Sequence, residues 1–400
     1  MKILVINSGS SSLKFEVIDT STKQTLVNGI CERIGISDQL FTYKNKVNSY
    51  VEKETKVSMP THKDAIDHLL KVLTDEKIGV IKSIEELDAI GHRVVQGGEY
   101  FDDAVIVDED VIAKIEELAS LAPLHNPANV MGIKLMRELL PNTPNVAVFD
   151  TAFHRTMPDY AFRYPLPHED YKKYKVRKYG AHGTSHKYVS SYVKDLLNKE
   201  DSKIIVCHLG NGASISAVRD GKVVDTSMGL TPLGGIMMGT RCGDMDPAVA
   251  LYLMQKRELT ASEMDTRLNK TSGLKAIFEK SSDFRDILKG MEENDEKAFL
   301  AFNMFCYRVR NFIGSYILAL NGIDAIVFTG GIGENVAKVR RKVCENLEFL
   351  GIKMDTEKNE IRVDGTADYT AADSKVKILK VETKEELMIA LDTERLVKGE

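Results

Sequence analysis

The chain begins with an apolar, β-branched run, Ile3-Leu4-Val5-Ile6, which reads as a buried strand. The run stops at Asn7-Ser8-Gly9-Ser10-Ser11-Ser12 and resumes over 13–19 as a second strand. A turn at 19–23 leads into a third, 24–27. The same plan returns past the midpoint. Residues 204–209 are apolar but for His208, Gly210-Asn211-Gly212 breaks the run, and 213–218 resumes it. Asp220-Gly221 then marks a hairpin into 222–225. A repeated strand–turn–strand plan predicts two halves of one architecture, each aiming a polar turn into a shared cleft.

Helical spacing appears between and after the copies. It predicts helices at 61–73, capped by Thr61, and at 109–121, 127–140 and 295–320. Residues 89–95, 146–149 and 324–329 read as strands. The prolines of 123–127 predict a loop, and 179–186 reads as a loop entering a helix. Gly330-Gly331-Ile332-Gly333-Glu334-Asn335 follows a strand and opens another helix. Strands alternating with helices indicate an α/β protein.

Composition narrows the function classes. The 400 residues carry a net charge of −5, which gives no basic footprint for nucleic acid. No apolar run reaches the length of a membrane span, and the start lacks a signal-peptide pattern. The five cysteines, Cys31, Cys207, Cys242, Cys306 and Cys344, are scattered and form no CxxC pair. They read as reduced thiols of a cytoplasmic protein, with no zinc site.

Candidate chemistry lies in the turns. The first turn brings backbone N–H groups, hydroxyls and Lys14 together, which suits either a polyanion or a plain polar hairpin. No GxxxxGK[ST] loop occurs, and the Gly333 turn does not complete GxGxxG. Three glycine turns, at 7–14, 208–212 and 331–335, together point to a nucleotide. Arg93 and Arg241 sit in glycine-flanked segments. Each serves either a surface ion pair or a bidentate grip on an anion. Asp150 ends an apolar strand, as a cap or as a site carboxylate. His182 lies between Ala181 and Gly183, as a structural loop residue or a donor to developing charge.

Nine segments together resemble the acetate kinase family. They include Asn7-Ser8-Gly9-Ser10-Ser11-Ser12-Leu13-Lys14, Gly91-His92-Arg93-Val94-Val95, Pro123-Leu124-His125-Asn126-Pro127-Ala128-Asn129 and Phe149-Asp150-Thr151-Ala152-Phe153-His154. His182-Gly183-Thr184-Ser185-His186, His208-Leu209-Gly210-Asn211-Gly212, Met238-Gly239-Thr240-Arg241, the 330–335 turn and Thr383-Lys384-Glu385-Glu386-Leu387 complete the set, in family order.

The resemblance implies two duplicated ribonuclease H-like domains of the actin and sugar-kinase type, with a cleft between them. One domain is expected at 1–150 with a C-terminal helix at 386–400, the other at 151–385. It implies reversible phosphoryl transfer from ATP to acetate in a cytoplasmic homodimer, aided by Mg²⁺, for which Mn²⁺ can stand in. By motif, Asn7 and Glu385 serve the metal. Lys14, His208, Leu209, Gly210, Asn211 and Gly212 serve the phosphates. Asp283, Phe284, Arg285, Gly331, Ile332, Gly333, Glu334 and Asn335 hold the nucleotide. Arg93 takes the acyl substrate, whose methyl group meets Val95, Leu124 and Pro232. Asp150, His182 and Arg241 are the catalytic set.

This chain departs from the commonest family pattern at Gln96, Ala181, Gly234 and Cys242. Ala181 stands where Phe is frequent and implies a wider acyl pocket. A propionate or other short-chain carboxylate kinase is therefore the nearest alternative. A non-catalytic nucleotide switch of the actin type is a more distant one.

Overall fold

The computed structural model describes residues 1–400. The chain divides into two compact units, one of Met1–Phe153 with Lys384–Glu400, the other of His154–Thr383. Each has its own sheet.

In the first unit the strands are β1 (Lys2–Ser8), β2 (Ser12–Asp19), β3 (Gln24–Glu32), β4 (Leu40–Asn45), β5 (Val51–Lys56), β6 (Ala89–Val94), β7 (Val105–Ile106) and β8 (Asn145–Phe149). Their order is β5-β4-β3-β2-β1-β6-β8-β7. The second unit holds β9 (Lys203–Leu209), β10 (Ala213–Arg219), β11 (Lys222–Thr226), β12 (Ala325–Thr329), β13 (Ala367–Asp368) and β14 (Lys377–Lys380). Their order is β11-β10-β9-β12-β14-β13.

The repeat read from the turns extends over both sheets. β3-β2-β1 and β11-β10-β9 are antiparallel, and each is followed by two parallel strands, β6-β8 and β12-β14. Each sheet then ends on a two-residue antiparallel edge, β7 or β13. The first unit differs only by adding β4 and β5. The parallel strands β1, β6 and β8 bring the ends of their chains, at Asn7, Arg93 and Asp150, to one edge. β9, β12 and β14 do the same for His208, Gly330 and Val381. Carboxyl ends of parallel strands are where open α/β sheets bind ligands.

Helix His62–Leu73 begins at Thr61 with a reciprocal capping box to Asp64, as its sequence predicts. The helix predicted at 109–121 ends earlier, at Glu117, and tightens into a 3₁₀ turn, Leu118–Ser120. The loop predicted at 123–127 gives way at Asn126, because Pro127 fits the first helical turn of Asn126–Leu139. Glu296–Ala319 buries Ala298, Ala301, Phe302, Phe305, Cys306, Val309, Ile313 and Tyr316 at helical spacing against the second unit's core. The C-terminal helix Glu385–Val397 packs on β6 and β1. A Cβ on Gly91 would stand 2.6 Å from Thr393 Oγ1, so β6 needs glycine for this close approach.

Candidate active site

In the first unit the site is built from strand ends and one helix start. Arg93, on β6, donates from Nη2 to Asp150 Oδ2 at 2.5 Å and from Nη1 to Asn7 Oδ1 at 3.4 Å. Its Nε is buried with no hydrogen-bond partner. Burial works against the charge on Arg93, but Asp150 and Glu385 outweigh it and raise its pKa. Asp150 is 1% exposed. Glu385 opens the C-terminal helix. Burial, and then the Asp150 carboxylate, push its pKa up to about 7 against the pull of Arg93. Lys14 is ion-paired to Glu386, the next residue of that helix. Asn7, Lys14, Arg93, Asp150 and Glu385, gathered by motif from across the sequence, are thus brought together in one unit.

The acyl-pocket residues differ in exposure. Val95 is buried, whereas Leu124 is 70% exposed and makes no enclosed wall within its own unit. Pro232 is half-buried in the second unit, and its carbonyl accepts from Arg241 Nη1 at 3.1 Å. Ala181 lies in the second unit's core cluster, 4% exposed. Space freed by the missing Phe therefore borders core side chains.

In the second unit His182 takes a left-handed conformation, φ +59°, directly before helix Gly183–Leu197. A non-glycine residue in that region stores strain, as functional positions often do. Its imidazole stacks on His208 with ring centroids 4.3 Å apart. A Cβ built on Gly212 would lie 3.5 Å from His182 Nε2 and 3.6 Å from Arg241 Nη1. One imidazole and one guanidinium therefore converge over the glycine turn. Burial lowers the Arg241 pKa.

The nucleotide residues divide by what their side chains do. Leu209, Phe284 and Ile332 are buried in the hydrophobic core. Phe284 packs on Phe302 and Phe305. The side chains of these three are thus taken up by core packing. Asp283 caps helix Phe284–Glu292 and pairs with Arg285, whose side chain is 89% exposed. The glycine stretch expected as a turn before a helix is itself helical from Gly330 to Asn335. It follows β12 without a linker because Gly330 adopts φ +76°, where a Cβ would press within 2.9 Å of the Leu209 backbone. Glu334 folds back to accept from Gly330 N at 2.9 Å. Gly331 and Asn335 are exposed, and Asn211 is exposed beside them in role.

Several groups carry no sequence signal of their own. Arg340 is buried and donates to the carbonyls of Gly333 and Glu334, both at 2.9 Å, so it fixes the far end of that helical turn. Ser185 joins His208 Nδ1 to Thr383 Oγ1, each at 2.8 Å. Ser214 touches both His182 and His186. The four-residue spacing of His182 and His186 could have marked the last pair as one helix face.

The chain matches known proteins over its whole length. The family model described as "Acetokinase family" matches residues 2–391. An acetate kinase of Fusobacterium nucleatum is 55% identical over 399 residues, covering 100% of each chain. The crystal structure of Porphyromonas gingivalis acetate kinase superposes with a TM-score of 0.95 at 43% identity, covering 99% of each chain. That of a propionate kinase from Francisella tularensis does so with a TM-score of 0.91 at 42% identity, covering 98% of this chain and 99% of that one. With its α/β duplication and the family motifs in order along both units, the chain belongs to the acetokinase family.

Proposed function

We propose that this protein is an acetate kinase, a phosphotransferase that moves the γ-phosphoryl group of ATP directly to a carboxylate oxygen of acetate and runs in both directions. The observation that carries the reading is full-length identity of 55% to an acetate kinase. The site chemistry supports it. Acetate is ionised near neutral pH, since carboxyl groups titrate at about 4, so no base is needed to make the nucleophile. An acetate oxygen bonds to the γ-phosphorus while the bond to the ADP oxygen breaks, and ADP leaves with that electron pair. The difficulty is bringing two anions together and stabilising charge on the transferring group.

In this reading Arg93 holds the acetate carboxylate, with Val95, Leu124 and Pro232 against the methyl group. His182 and Arg241 donate to the transferring phosphoryl oxygens, and Lys14 and the 208–212 turn hold phosphates. The Gly331–Asn335 turn and Arg285 hold the nucleoside.

The first unit suits a divalent cation. Asn7, Asp150 and Glu385 offer only hard oxygen donors, and the two carboxylates face one arginine. No cluster of three or more His, Cys, Asp or Glu side chains stands ready to enclose an ion. That suits Mg²⁺, which takes one or two carboxylates and completes its shell with phosphates and water. Asn7 and Glu385 would hold it, with Asp150 orienting its water. When bound, the ion neutralises phosphate charge.

A homodimer is proposed too. Helix Pro247–Arg257 has no buried residue and exposes Val249, Leu251 and Tyr252. The cytoplasm is proposed as the location, in keeping with five free cysteines. No helix is long and apolar enough to cross a membrane.

Propionate is the second reading, favoured by the 42% identity to the Francisella propionate kinase. Trapping of the acyl phosphate with hydroxylamine, in parallel with acetate and propionate, tests the choice. Faster hydroxamate formation from acetate supports the reading, and faster formation from propionate replaces it.

A further inference from the structure

Ser214 stands buried on β10 between two imidazoles. Its Oγ is 2.9 Å from His182 Nδ1 and 2.7 Å from His186 Nε2. A hydroxyl has one proton to give, so it can donate to only one of these nitrogens. The other contact must be donated by an imidazole N–H.

His186 decides which. It is fully buried, and its Nδ1 has no hydrogen-bond partner. Burial, with His154 and His208 nearby, pushes its pKa well below the usual histidine value, so it is neutral and carries one N–H. A proton on Nδ1 would strand a buried donor. Orphaned buried N–H groups are the rarest and among the costliest unmet polar groups. A proton on Nε2 is donated to Ser214 Oγ. The buried Ser214 proton then needs an acceptor of its own, and His182 Nδ1 lies within reach at 2.9 Å, so Ser214 donates to it. A ring nitrogen that accepts carries no proton, so the N–H of His182 resides on Nε2.

Nε2 is the atom that converges with Arg241 Nη1 over Gly212. We propose that Ser214 and His186 are positioning residues that hold His182 in its Nε2–H tautomer, so that it presents a donor to the phosphoryl oxygen. This rests on the reading that His182 meets the transferring group. The opposite tautomer would turn a lone pair towards an anion. A relay of hydroxyl and imidazole also places no extra negative charge behind the histidine, as a carboxylate orienter would, where the substrate already brings several.

The test uses the full-length protein with ¹⁵N-labelled histidine, His182 being recognised by the signals lost in His182→Gln. The expected wild-type spectrum shows His182 with protonated Nε2 and bare Nδ1. Ser214→Ala should populate both tautomers. His186→Gln, which keeps a donor near the Nε2 position, should retain the first. Acetate-dependent kcat should fall roughly 10- to 100-fold in Ser214→Ala, the range typical of lost orienting partners, with KM for ATP little changed. A wild-type His182 protonated on Nδ1 overturns the relay at once, without any variant having to fold. Unaltered turnover of His182→Gln alongside the Nε2–H signal would leave the relay standing and remove His182 from the phosphoryl group instead.

Discussion

Arg93 Nη2 and Asp150 Oδ2 lie 2.5 Å apart at the ends of two parallel strands, β6 and β8. The arginine proposed to hold acetate is thus aimed by the carboxylate proposed to face the metal. Asp150 needs no proton-accepting role, because the nucleophile is already an anion. Asp150→Ala is expected to lose most activity and to raise the Mg²⁺ concentration needed for what remains. It should also destabilise the first unit by about 3–5 kcal/mol, the cost of breaking a buried pair. An unchanged Mg²⁺ response with a newly flattened pH–rate profile would point to general-base action.

Arg241 converges with His182 but makes its hydrogen bonds to the Pro232 carbonyl and the Met238 sulfur. Arg241→Ala is expected to lower kcat by about 10³ or more, as for other arginines at transferring phosphoryl groups. Nucleotide binding, measured by calorimetry, should persist. Turnover within a few-fold of wild type would take Arg241 out of the mechanism.

Gly212→Ala separates folding from function. The added Cβ would meet His182 Nε2 and Arg241 Nη1 at ordinary contact distances of 3.5 and 3.6 Å. The variant should therefore melt close to wild type. It should be nearly inactive, because the methyl group fills the place where those donors reach a ligand. Full activity with unchanged melting would show that ligand does not approach this turn.

Ala181→Phe bears on stability before specificity. Residue 181 is packed in the second unit's core, and overpacking typically costs about 1–3 kcal/mol. A lower melting temperature is expected. In the wild type, propionate should be used less well than acetate, within the 1–3 kcal/mol or so that one methylene commands. A stable variant that loses propionate kcat/KM selectively would put residue 181 beside the acyl tail.

His92 gives a pH signature. It is buried, donates from Nε2 to Asn145 Oδ1 at 2.7 Å, and burial lowers its pKa to about 4. The unfolded chain binds a proton near pH 6.5 that the folded one refuses. Stability is then complete above 6.5 and falls with pH down to about 4, by up to about 1.4 kcal/mol per pH unit from this residue. Urea unfolding of wild type and His92→Gln should give a shallower acid limb for the variant. Parallel limbs would mean His92 protonates in the folded state.

Strand–turn–strand repeats, Thr61 capping and the long helix after Asp295 were legible because period and turn chemistry are local. The shared strand order of the two sheets was not, since β6, β8, β12 and β14 join by long-range parallel pairing. The start of helix Asn126–Leu139 was hidden by a proline that reads as a loop residue yet fits a first turn. Single site residues were visible where glycines flank them, as with Arg241 and His182. Ser214, Ser185 and Arg340 were not. Each has a partner distant in sequence, such as Asn359 for Arg340, 19 residues away, and Thr383 for Ser185, 198 residues away, which no local pattern encodes.

Direct transfer between ATP and acetate is tested most sharply by stereochemistry. With ATP made isotopically chiral at the γ-phosphorus, one in-line displacement should yield acetyl phosphate with inverted configuration. Retention would mean two displacements through a phosphorylated residue of the protein, and would contradict the direct mechanism.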